Sequence, residues 1–148
     1  MRKFLGILTG VIVAFVVQTA GDILSNKLYP PSITNMWDRT QVAEALAARP
    51  TAALWISVAA YLAGGLIGGL VGKKIARGSA GAWVPAGMLA LMALLIGWSF
   101  PGPAWVMVAT VAAPLIGGLL ANHLVGTGPA SETAAADGAD LAIEPAED

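Results

Sequence analysis

Long apolar runs separated by short polar breaks set the pattern of this chain. No charged residue falls between Phe4 and Gly21, between Thr51 and Gly72, or between Gly78 and Asn122. A helix rises about 1.5 Å per residue, so a bilayer core of about 30 Å takes about 20 apolar residues. The first two runs each suit one crossing. The third suits two, because Ser99-Phe100-Pro101-Gly102-Pro103 interrupts it. Two prolines about a glycine make a turn, not a helix interior. Four spans are therefore expected, at about 4–21, 52–72, 81–99 and 104–124. The runs do not alternate polar and apolar positions as barrel strands must. The expected fold is all-α: an integral membrane four-helix bundle of two helical hairpins over residues 1–125.

The start, MRKFLGILTGVIVAFVV, also has the form of a secretory signal, with small residues Thr19, Ala20 and Gly21 where cleavage would fall. The run is long for a signal, and keeping it gives an even number of spans. A retained first span is the expectation.

Two segments fall outside the spans. The outer loop, 22–51, holds the stiff Tyr29-Pro30-Pro31 and then Asp38-Arg39-Thr40-Gln41. The latter reads as a capping box, an acid followed three residues later by Gln. A short amphipathic helix should follow to Ala48, with Val42, Ala45, Leu46 and Arg49 on one face. With Met36 and Trp37 before it, that helix is expected to lie on the membrane surface, the sharper alternative being a lid over the mouth of the bundle. Thr51 is expected to cap the second span. The tail, 126–148, carries Glu132, Asp137, Asp140, Glu144, Glu147 and Asp148 and no base. Few large apolar residues accompany these acids, so a disordered acidic tail is expected.

Composition strengthens the membrane assignment. Charged residues make up 11% of the chain, against about 25% in a typical soluble domain. Orientation follows from the bases. Arg2 and Lys3 precede the first span, and Lys73, Lys74 and Arg77 fill the link between the second and third. Placing these five inside puts both termini in the cytoplasm of a bacterial inner membrane, with Lys27, Arg39 and Arg49 outside. Trp37, Trp55, Trp83, Trp98 and Trp105 all fall near span ends, as an interfacial aromatic belt requires.

Small residues recur at helical spacing. The first span has Gly6, Gly10 and Ala14. The second has Ala60, Gly64, Gly68 and Gly72, with a second row in Gly65 and Gly69. The fourth has Ala113, Gly117 and Ala121. Lipid gives helices no hydrophobic reason to associate, so smooth faces that let backbones approach are the expected means of packing, within one chain or between chains. Pro114 should bend the fourth span, whereas Pro85 is expected in the tolerant first turn of the third.

Chemistry is sparse. There is no cysteine, which excludes disulfides, iron–sulfur clusters and thiol catalysis. No ionisable residue falls mid-span, and the single His123 has no second ligand beside it in the sequence. No catalytic, phosphate-loop or metal motif is present. Neither enzymatic activity nor a cofactor is expected. The base-rich link 73–77 is too short for a nucleic-acid surface. The expected partners are the lipid bilayer and a second copy of the chain or another membrane protein. One polar group remains of interest. Gln18 and Asp22 lie one turn apart and continue the Gly6–Gly10–Ala14 stripe to the outer end of the first span. With Tyr61 of the second span, they form the candidate polar site.

The basic start, the Gly-rich first span, the acid followed by Tyr29-Pro30-Pro31, the outer helix ending before Pro50-Thr51-Ala52 and Pro101-Gly102-Pro103-Ala104-Trp105 before the last span resemble a group of small four-span bacterial membrane proteins of unassigned function. The resemblance covers about residues 1–125 and implies no activity. In size and span number the chain is also similar to small multidrug resistance transporters. It departs from them in having Ala14, not an acid, in the middle of the first span, and in its long outer loop. The first functional expectation is a structural or interaction role through Gly-rich helix packing; the alternative is a small oligomeric transporter or channel.

Overall fold

The computed structural model describes residues 1–31, 37–99 and 102–125. The expected disordered tail, Met36 ahead of the short helix, and Phe100 and Pro101 of the turn lie outside the described residues. The elements are α1 (Arg2–Leu28), α2 (Arg39–Ala47), α3 (Thr51–Ala76), α4 (Ala80–Ser99) and α5 (Ala104–Leu124). By length and composition α1, α3, α4 and α5 can each cross a membrane, and the chain is an all-α, multi-pass membrane bundle. Helix is the form that satisfies every backbone N–H and C=O within one segment when water is absent.

The long helices differ from the expected spans chiefly at their ends. α1 does not stop at Gly21 but runs on to Leu28, where Tyr29 N–H closes on the Ser25 carbonyl at 2.9 Å and two prolines follow. The added turns extend the helix by about 10 Å. α3 keeps Lys73 and Lys74 in its last turn and ends at Arg77, which takes the left-handed conformation (φ 52°, ψ 39°). Only Arg77, Gly78 and Ser79 therefore link α3 to α4. Thr51 is the first helical residue of α3, not its cap; Pro50 holds the N-cap position without a side-chain hydrogen bond. The Asp38 cap is made: its carboxylate accepts from Thr40 N–H and Gln41 N–H at 3.0 and 3.4 Å.

α3 is the centre of the bundle. It packs against α1, α4 and α5, whereas α1 and α5 lie on opposite sides and do not touch. Its two rows of small residues face different neighbours. Along the first row, a methyl placed on Gly68 would stand 2.5 Å from Ala14 Cβ and 2.7 Å from the Gly10 carbonyl oxygen. One placed on Gly64 would meet the Ala14 carbonyl oxygen at 2.9 Å, and one on Gly6 would meet Ala76 N at 2.5 Å. Gly21 faces Ala60 in the same antiparallel crossing. The second row turns to α5, where Gly65 lies against the Pro114 backbone and Gly69 against Ala121. In return, Gly117 sits on the α3 backbone, 2.5 Å from the Leu62 carbonyl oxygen to an added methyl. Real side chains do not reach such distances, so these crossings admit glycine and little else.

Pro85 lies in the second turn of α4, not the first, because α4 begins at Ala80. Proline has no N–H to offer the Gly81 carbonyl four residues back. That oxygen faces Gly72, at the place a Gly72 side chain would otherwise occupy. The proline ring itself is fully buried, 3.0 Å from where a Gly10 methyl would be. At the same end of the bundle Lys73, 4% exposed, is no free topology marker. Its Nζ donates to the Asn122 carbonyl oxygen at 2.5 Å and to Asn122 Oδ1 at 2.8 Å. It thereby satisfies one of the last carbonyls of α5, which no helical N–H can reach.

Candidate functional site

At the end of the bundle that carries the 22–51 loop, the helices part. A half-open cavity of ≈ 350 Å³ lies there, with residues of all five helices in its wall. Its lining includes the apolar Leu54 of α3, Ile96 of α4, and Val106 and Met107 of α5. Polar groups share this lining. Asp22 and Asn26 come from α1, Ser57 and Tyr61 from α3, Thr110 from α5, and Arg49 from the turn after α2.

Asp22 does not sit where a helix end meets water. α1 continues for six residues beyond it, so the carboxylate projects from an intact helix into the cavity wall. Gln18, 9% exposed, lies one turn deeper and donates from Nε2 to Asp22 Oδ2. Ser57 of α3 shares the cavity lining with Asp22. Gln18 does not line the cavity; it anchors the acid from behind. Tyr61 is buried and forms part of the floor. Of the three residues expected at this site, the structure brings two to the cavity surface and places the third beneath one of them.

The cationic side of the site comes from Arg49. Its Nη2 donates to Asn26 Oδ1, which ties the end of the outer loop to α1. It acts on Asp22 as a through-space charge. Its Nε is buried and has no hydrogen-bond partner among the described residues. An unmade hydrogen bond to a buried donor costs about 1–3 kcal/mol. Thr110, by contrast, spends its hydroxyl on its own helix, donating to the Val106 carbonyl at 2.8 Å.

The short helix α2 bears on both expectations, a surface-lying element and a lid. Val42, Ala45, Leu46 and Arg49 do share a face, but that face lines the cavity. α2 makes no close backbone approach to any of the four long helices. It stands over the opening with the cavity between.

The floor is solid. Tyr61 and Ala93 line the cavity and also belong to the core cluster with Leu89, Ala14, Val58 and Ala113. Leu89 is fully buried, with Cδ1 3.0 Å from where a Gly64 methyl would be. Beneath it come the backbone-to-backbone crossings at Gly65, Gly68 and Gly72. Among the described residues, packed side chains and helix crossings thus lie between the cavity and the inner half of the bundle.

Asn26, Arg49 and Ser57 are site residues that the sequence reading did not single out. Asn26 could have been found, since it falls four residues after Asp22 and eight after Gln18 on the same stripe. Near the rim, the Trp55 and Trp105 rings meet at 5.6 Å between centroids, tilted by 39°. Comparison with known proteins finds no matching family model, no matching curated protein and no matching solved structure.

Proposed function

We propose that this protein is a non-enzymatic binding module of a bacterial inner membrane, holding a small amphipathic molecule in the cavity under α2. Both termini lie in the cytoplasm, so the cavity opens to the outer face. The observation that carries this reading is the contrast between the two halves of the bundle. The inner half is closed by glycine crossings with no room for a side chain. The outer half leaves a cavity lined by an acid, a base and an amide together with aliphatic side chains. Sites for small molecules are concave, mostly apolar and carry a few placed polar groups, in volumes of about 300–1,000 Å³. Gly-rich helix packing then serves as the rigid base of the site. The glycine rows are buried inside the chain, so a homo-oligomer or a membrane-protein partner would use the outward apolar faces instead. The transporter alternative would need the floor at Leu89 to open.

The test is ligand-dependent stability of the purified chain against a panel of small amphipathic compounds, beside an Ala93→Leu variant that fills the floor of the cavity. A bound compound at about 100 times its Kd should stabilise the wild type by about 2.7 kcal/mol and leave Ala93→Leu unchanged. A panel in which no compound distinguishes the two proteins would refute the binding role.

A further inference from the structure

We propose that the cavity selects zwitterions: molecules that pair an ammonium with a carboxylate or phosphate on an apolar body of modest size. The inference rests on the binding role given above. Three observations carry it. The first is that the cavity lining holds both charges, and no salt bridge joins them among the described residues. Asp22 is held by the neutral donor Gln18. Arg49 is held by the neutral acceptor Asn26. Each charged group thus has a neutral anchor and a face left over for a ligand.

The second observation is the Nε of Arg49, buried and without a hydrogen-bond partner among the described residues. Buried donors are almost always satisfied, and an exception calls for a cause. An anionic oxygen bound at the guanidinium supplies the missing acceptor, with the charge assistance that favours arginine for carboxylates and phosphates. The third is the apolar part of the lining. Leu54, Ile96, Val106 and Met107 give an aliphatic surface that no ion alone would use. A volume of ≈ 350 Å³ corresponds to roughly a dozen water-sized groups. That suits an apolar amino acid or the headgroup region of a zwitterionic phospholipid, and it is too little for a peptide.

The pairing explains why a singly charged ligand is the poorer fit. An amine satisfies Asp22 and leaves Arg49 Nε as it is. An acid satisfies Arg49 and brings a second negative charge toward Asp22. A zwitterion answers both and adds no net charge to a site near the edge of a bilayer.

The experiment uses the full chain in nanodiscs of phosphatidylglycerol, which offer no zwitterionic lipid, and titration calorimetry with matched probes. One set is leucine, 3-methylbutylamine and 4-methylpentanoate, which share an aliphatic body and differ in charge. The other is dihexanoyl phosphatidylethanolamine beside dihexanoyl phosphatidylglycerol. In at least one set the zwitterion should bind at least tenfold more tightly than its singly charged counterparts. Discrimination within the first set identifies a free solute as the source, and within the second a lipid headgroup. Asp22→Asn, which keeps the shape of the acid and its contact with Gln18, and Arg49→Gln should each remove the preference. An amine or acid that binds as tightly as the zwitterion overturns the proposal, as does a preference that survives Arg49→Gln. So does the absence of binding by any probe. Thermal unfolding of both variants is recorded alongside. If Arg49→Gln fails to fold, Arg49→Lys, which keeps the charge and loses the Nε–H donor, takes its place and should weaken the zwitterion at least tenfold. The binding role itself stands or falls separately, on whether any compound distinguishes the wild type from Ala93→Leu.

Discussion

Replacing Gly72 with leucine is expected to prevent the bundle from assembling. A side chain there would start on top of the Gly81 carbonyl oxygen and 3.2 Å from the Gly81 carbonyl carbon. Both are backbone atoms of a neighbouring helix, so no rotamer change relieves the clash. Overpacking a core usually costs about 1–3 kcal/mol, relieved by small movements of side chains. Here α4 itself would have to move off α3, and Pro85 would lose its place against Gly10 of α1. The expected loss is at least about 3 kcal/mol, a large part of the roughly 5–15 kcal/mol that holds a folded domain. It should appear in mild detergent as loss of the monodisperse species and of the cooperative unfolding transition. Gly87 provides the control. Nothing lies within 4 Å of a methyl added there, and alanine is the better helix former by up to about 1 kcal/mol. Gly87→Ala should leave stability unchanged or raise it.

Leu89→Ala is expected to have the second large effect, with a different signature. Leu89 is fully buried between α1 and α3, directly beneath the residues that floor the cavity. Removing most of its side chain leaves a void that backbone crossings on the other side cannot fill by collapsing. Large-to-small core changes of this kind cost about 2–5 kcal/mol. In a membrane the hydrophobic transfer part is small, because lipid is as apolar as the core. Lost van der Waals contact makes up most of the cost, and about 2–3 kcal/mol is the expected value, measured by reversible denaturant unfolding in micelles. The void should also join the cavity above it. Compounds longer than those accepted by the wild type should then bind, which a loss of packing elsewhere in the bundle would not produce.

Much of this arrangement is legible in the sequence, for identifiable reasons. The spans can be read because charge is excluded from the bilayer core, so the charge-free runs mark them to within a few residues. α3, α4 and α5 begin within one residue of the expected places. α1 is harder, since residues 22–28 are polar enough to look like loop, and their tertiary contact, through buried Ser25 donating to the Ala53 carbonyl at 3.2 Å and Asn26 accepting from Arg49, joins residues far apart in the chain. The same contact makes Asp22 a wall residue and not a boundary. Gln18 and Asp22 were legible as a pair because helical spacing alone sets their proximity. Arg49 was not, because its partner Asn26 is 23 residues away in the chain, and only the return of the outer loop brings them together. Lys73 misleads for a similar reason. Its charge marks a membrane edge in sequence, while its role comes from Asn122, 49 residues on. The direction of the Val42–Arg49 face likewise depends on what α2 stands over, which no local pattern encodes.

The chain's lack of cysteine allows a direct measurement of the central feature, a pocket open on one side of the membrane and closed on the other. Ser57 lines the cavity above the floor, and Gly78 lies in the link at the opposite end, with space around it. Each is replaced singly by cysteine in oriented membranes and exposed to a membrane-impermeant thiol reagent, which requires a hydrated, ionisable thiol to react. Ser57→Cys should be modified by reagent added outside and spared by reagent added inside, while Gly78→Cys shows the reverse. Modification of Ser57→Cys from the inside, or its complete protection from both sides, would mean that the one-sided cavity does not exist in the membrane.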